Sequence, residues 1–101
     1  MYKLLVRKSV ETILLKLVKK NPKQVEIIYK KINEIREDPQ HYKNLKKPLQ
    51  HLKRVHVDSN FVMLFSVDET SKTVIIEDYN HHDKIYRDYF EFKKIIWTII
   101  K

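Results

Sequence analysis

The apolar residues of this chain keep two different periods, and the change between them limits the fold more than any other feature. From Val10 to Ile35 they recur at intervals of three and four: Val10, Ile13, Leu14, Leu17 and Val18, then Val25, Ile28, Tyr29, Ile32 and Ile35. That spacing marks one face of a helix. From Leu52 the pattern shortens. LKRVHV, FVMLFSV and TVIIEDY are rich in β-branched and aromatic residues and are separated by the turn sequences DSN and DETSK. These are strand signals. A helical half followed by a strand half predicts an α+β domain, with the helices gathered on one face of a small sheet.

Local signals set the expected boundaries. Residues 2–7, YKLLVR, read as a first strand. Ser9 is placed to cap a helix with Glu11 in its first turn and Lys19 and Lys20 in its last, where the helix dipole favours them. Asn21 is a good N-cap and Pro22 a good first residue for a second helix, which Pro39 ends. So short a link predicts an antiparallel hairpin. Residues 40–51 read as a basic loop. The three later strands, joined by short turns, predict an antiparallel meander. The chain has no glycine, so Asn60 is the expected positive-φ residue. Residues 83–101 read as a terminal helix, although the last six also fit a strand. The expected fold is thus α+β: a helix hairpin packed on a small twisted antiparallel sheet, in the order β-α-α-β-β-β plus a C-terminal helix, with residues 1–101 as one domain.

Charge narrows the partners. The 101 residues carry a formal net charge of +8, which attracts polyanions: nucleic acid first, then an anionic membrane surface or an acidic protein. Cysteine is absent, which excludes disulfides and thiolate metal sites. Lys3, Arg7 and Lys8 interrupt the apolar residues of the first segment, and no apolar run is long enough to cross a bilayer. A cytoplasmic location is expected.

The chemistry-bearing residues lie in the strand half. Alternation places Arg54 and His56 on one face and Lys53, Val55 and Val57 on the other. The valines belong to the core, so Arg54 and His56 are expected on the open face. His82 follows the last strand and approaches His56 if those strands are neighbours. Two imidazoles among cations suit RNA cleavage. One removes the proton of a 2′-hydroxyl, one protonates the leaving 5′-oxygen, and cations stabilise the phosphoryl oxygens. That chemistry requires no metal. Plainer roles stand beside it: His56 as a surface strand residue, His81 and His82 as a solvated turn capped by Asp83, Tyr86 as a core aromatic and the loop lysines as a solvated surface. His81, His82 and Asp83 are consecutive, so their side chains should diverge. No spaced His/Asp motif occurs elsewhere, and neither a metal site nor a cofactor is expected.

The order of elements and two local patterns resemble the RelE/ParE superfamily of type II toxins. NHHDKIY resembles its C-terminal signature. RVHVDSNFVMLFSV resembles its central hairpin and is most similar to the YafQ-like branch, as is KPLQ before it. The resemblance implies a ribosome-dependent mRNA endonuclease that inhibits translation and is held inactive by a RelB-type antitoxin. It matches His56 and His82 to the proton-transferring histidines and Tyr86 to an aromatic position, with Lys47 where that branch has another histidine. The pattern departs at Val62, which follows Phe61 where RelE toxins carry a basic residue. Arg54, Lys53, Lys47 and Arg87 are the candidate replacements. Arg54 joins His56, His82 and Tyr86 in the expected catalytic set, and Lys43, Lys46, Lys47, Lys53 and Arg87 form the expected RNA surface. Phe90, Phe92, Ile96, Trp97 and Ile100 exceed what one helix face buries and are the expected antitoxin dock. A ParE-like gyrase poison and a catalytically weak basic binding module are the competing readings.

Overall fold

The computed structural model describes residues 1–88. Its elements are β1 (Lys3–Val6), α1 (Lys8–Lys20), α2 (Pro22–Glu37), a 3₁₀ turn (Pro39–His41), β2 (Lys53–His56), β3 (Phe61–Asp68) and β4 (Thr73–His81). Helical backbone then runs over 82–88 (α3). The expected α+β layering of helices on a four-stranded sheet is present, and residues 89–101 of the expected terminal helix lie outside the described residues. The four strands lie in the order β1-β4-β3-β2. β2, β3 and β4 form the antiparallel meander. β1 joins it in parallel against β4, so the sheet as a whole is mixed.

α2 starts where its sequence indicates. Asn21 Oδ1 accepts the Gln24 N–H at 3.2 Å, and Pro22 follows it. α1 begins earlier than Ser9 would require. Its N-cap is Arg7, which makes no side-chain capping bond, and Ser9 lies inside the helix. Arg7 is instead held by Glu77, at 2.7 Å from Nε to Oε1.

Two apolar clusters sandwich the sheet. The larger unites Val10, Ile28, Ile32 and Ile35 of the helices with Val55, Val57, Met63, Phe65, Val74, Ile76 and Tyr79. Ile13, Leu14 and Leu17 pack on its margin, while Val18 and Tyr29 point out, 52% and 56% exposed. The smaller cluster lies on the opposite face. Leu49 and Leu52 of the 42–52 loop meet Val62 and Leu64 of β3 and Ile85 of α3, with Leu45 beside them. The second face is therefore only partly open.

The turns correct one expectation. Asn60 does not take positive φ. Asp58 Oδ1 accepts the backbone N–H of Asn60 at 2.8 Å and of Phe61 at 2.9 Å, closing the β2–β3 turn with an Asx-type bond in place of a left-handed residue. The positive φ falls at Lys72 (53°), in the β3–β4 turn.

Candidate active site

A β-bulge builds the site. Leu64 pairs with Asp78, but Phe65 pairs with Ile76, which leaves Glu77 as the extra residue of β4. Val74 and Ile76 face the helices, and after the bulge so does Tyr79. One inserted residue has reversed the alternation, so Asp78 and Asn80 now share the face of Leu64 and Val62. Glu77 is pinned at the bulge by Arg7 and by Ser66 Oγ, which donates to its Oε2 at 2.7 Å. Burial pushes the Glu77 carboxyl upward, yet the bonds from Arg7 and Ser66 outweigh it and hold the group below the usual carboxylate range.

β2 presents Arg54 and His56 to the same face. Arg54 lies opposite Leu64, and His56 lies opposite Val62, whose other neighbour is Asn80. His56 is exposed. Two strand spacings put its backbone roughly 10 Å from that of Asn80, and His82 follows two residues on. His82 begins α3, its N–H bonded to the Asn60 carbonyl at 2.8 Å. One helical turn later Tyr86 sets its ring edge against His82, with centroids 5.6 Å apart. Arg54 hydrogen-bonds the Tyr86 hydroxyl, and its guanidinium carbon lies 5.4 Å from that ring's centroid. Tyr86 is 42% exposed and thus belongs to this surface and not to the core.

Arg54, Tyr86 and His82 therefore form one contact chain, and His56 stands beside Arg54 on the same strand face. Lys43, Lys46, Lys47 and Arg87 are exposed. Lys53 is not a surface cation. It is 5% exposed, and its Nζ donates to the Tyr42 carbonyl at 2.7 Å and to Asn44 Oδ1 at 2.9 Å. It anchors the base of the loop and cannot meet phosphate from there. Alternation had placed Lys53 beside Val55, the signal that it points inward. Phe90, Phe92, Ile96, Trp97 and Ile100 lie outside the described residues.

One position on the site's face and one in the turn beside it escaped the sequence reading. Asn80 reaches the face only through the bulge. Asp58, the turn carboxylate, also accepts from Gln24 Nε2 at 2.9 Å, and Gln24 reaches the Tyr79 hydroxyl at 2.8 Å. The DSN turn sequence carried the signal for Asp58, since Asp readily hydrogen-bonds backbone two residues on.

No protein-family model matches the chain. It is 48% identical over 93 residues to a proposed toxin named RelE4 from Methanocaldococcus jannaschii, covering 92% of this chain and 99% of that one. The chain belongs to the RelE-like toxin family. This RelE-like chain is also 57% identical over 86 residues to an uncharacterized protein of Methanosarcina mazei, with 85% of this chain and all of that protein covered. Its fold matches a chain of the RelBE2 toxin–antitoxin complex of Mycobacterium tuberculosis, with a TM-score of 0.67, 18% identity and coverage of 80% of this chain and 98% of that one. Among the described residues, no helix is long and apolar enough to cross a membrane.

Proposed function

We propose that this RelE-like toxin is a ribosome-dependent mRNA endonuclease. The observation that supports the reading is the gathering of Arg54, His56, His82 and Tyr86 on one sheet face, beside an exposed lysine loop. In the proposed step one of the two histidines takes the 2′-hydroxyl proton. The freed oxygen attacks the adjacent phosphorus, the P–O5′ bond breaks, and the other histidine protonates O5′. His56 on β2 and His82 just beyond β4 stand on either side of β3, and the phosphodiester is assigned to the space between them. Arg54 takes the place of the cation missing at Val62. Its bond to Tyr86 ties the guanidinium to the ring that packs on His82, and its assigned role is to stabilise charge on the phosphoryl oxygens. Lys43, Lys46, Lys47 and Arg87 are assigned to RNA phosphates, and Phe90, Phe92, Ile96, Trp97 and Ile100 to a RelB-type antitoxin.

The test is to add purified chain to translating ribosomes and map message ends, with a supercoiling assay on DNA gyrase in parallel. Codon-phased breaks in the message are expected. Intact messages together with inhibited gyrase would replace this reading with the ParE-like one.

A further inference from the structure

The consecutive residues His81, His82 and Asp83 do not diverge as consecutive residues of a strand would. His81 is the last residue of β4 and His82 the first of α3, so the chain turns between them. The turn folds the three side chains together, and one possible metal-ligand atom from each lies within 4.8 Å of the others. The imidazole centroids are 5.4 Å apart. His82 Nδ1 is 3.1 Å from Asp83 Oδ1, and His81 Nδ1 is 3.7 Å from Asp83 Oδ2. A tetrahedral zinc ion with bonds of about 2.1 Å holds its ligand atoms about 3.4 Å apart, so the side chains that now lie within 4.8 Å need only modest rotation to close around one ion.

A second observation points the same way. His82 Nδ1 is shut from solvent and has no hydrogen-bond partner among the described residues. Its 3.1 Å approach to Asp83 lacks the alignment of a hydrogen bond. When His82 is neutral, a bare ring nitrogen 3.1 Å from a carboxylate oxygen with no hydrogen bond between them is unfavourable, and a cation held between the two would satisfy both. The Asp83 carboxylate is 78% exposed and the two imidazoles about 40%, which gives an ion a path in. His81 Nδ1 currently accepts the Asp83 N–H at 3.2 Å. An ion would take that lone pair or use the other ring nitrogen. Imidazole and carboxylate together suit zinc-like divalent ions, and three protein ligands leave a position for water.

We propose that His81, His82 and Asp83 bind a zinc-class divalent cation, and that the bound ion switches the toxin off by occupying His82. An imidazole whose lone pair is held by a metal cannot cycle between neutral and protonated forms, so it no longer serves as acid or base. The switching half rests on the nuclease reading; the binding half does not.

Titrating Zn²⁺ into the purified chain by calorimetry should show one ion per chain. H81N, which keeps an acceptor for the Asp83 N–H, and D83N should each weaken that binding by at least tenfold. In the ribosome assay Zn²⁺ should suppress cleavage by the native chain. H81N should cleave normally and resist suppression. Failure of the native chain to bind Zn²⁺, or equally tight binding by both variants, would overturn the site. Suppression of H81N at the same Zn²⁺ concentration would overturn the switch. A native chain that binds one ion and cleaves nothing would leave the site standing and overturn the nuclease reading.

Discussion

The two faces of the sheet are built on different principles. The helix-side face is a regular core: stripes from α1 and α2 close over alternating residues of β2, β3 and β4, and Met63, Phe65, Val74 and Ile76 are fully buried. The loop-side face has a core of five buried residues, two of them from a loop. Around that small cluster stand Arg54, His56, Asn80, His82 and Tyr86. The large core is apolar apart from the Tyr79 hydroxyl, which is satisfied by Gln24. The small one covers only part of its face, leaving His56 and Tyr86 exposed and Arg54 and His82 half-buried. The Glu77 bulge divides the labour, since without it the residues after Ile76 would exchange faces.

Substitutions on the two faces should therefore fail differently. The largest effect is expected at the imidazoles. His56→Ala and His82→Ala should each lower cleavage by roughly two to four orders of magnitude, with thermal unfolding little changed. Full cleavage by either would remove it from the mechanism. Next come the cores. Phe65→Ala should cost about 3–5 kcal/mol, while Leu49→Ala should cost about 2 kcal/mol because the loop can settle into the gap. Denaturant titration measures both. Cleavage per folded molecule should survive Phe65→Ala but drop in Leu49→Ala, whose neighbour Ile85 seats α3. Equal behaviour in cleavage would erase the contrast.

Smaller effects sharpen the comparison. Changing Lys43, Lys46 and Lys47 together to Glu should flatten the salt dependence of RNA binding by roughly 2 in log–log slope, for three lost phosphate contacts. An unchanged slope would move the RNA surface elsewhere. Asp58 gives the least. Burial raises its carboxyl, but the bonds from Asn60, Gln24 and Phe61 outweigh that and hold it below its ordinary value. A depressed carboxyl contributes stability that is present above the unfolded value, near pH 4, and lost as pH falls through the lower folded value. Asp58→Asn should therefore cost roughly 1–2 kcal/mol at neutral pH and reduce the acid sensitivity of unfolding below about pH 4. An unaltered acid limb would argue against Asp58 as the turn's anchor.

Much of the helix-side face was legible in sequence because it obeys periodicity. Val25, Ile28, Ile32 and Ile35 all fall where the spacing puts them, and Asn21 caps as its chemistry predicts. The loop-side face was harder to read. Leu45, Leu49 and Leu52 recur at helical intervals, but a proline and three lysines between 43 and 48 make the stretch look like solvated loop. The bulge leaves no mark, since Glu77 is an ordinary residue within an alternating strand. The partner of β1 is set by tertiary packing and not by local pattern. The convergence of His81, His82 and Asp83 depends on where strand becomes helix, a boundary that fixes side-chain directions to the residue. Lys53 shows the opposite case: alternation placed it inside, but its charge suggested the surface, and two oxygens at the loop base reconcile the two.

The loop-side face is proposed to break RNA by 2′-hydroxyl attack. The chemistry of the broken ends tests it most directly. Messages cut by the native chain on translating ribosomes should carry a 2′,3′-cyclic phosphate on the upstream fragment and a 5′-hydroxyl on the downstream one. Upstream 3′-hydroxyl and downstream 5′-phosphate ends would mean that water, not the neighbouring hydroxyl, attacked phosphorus, and would contradict the account.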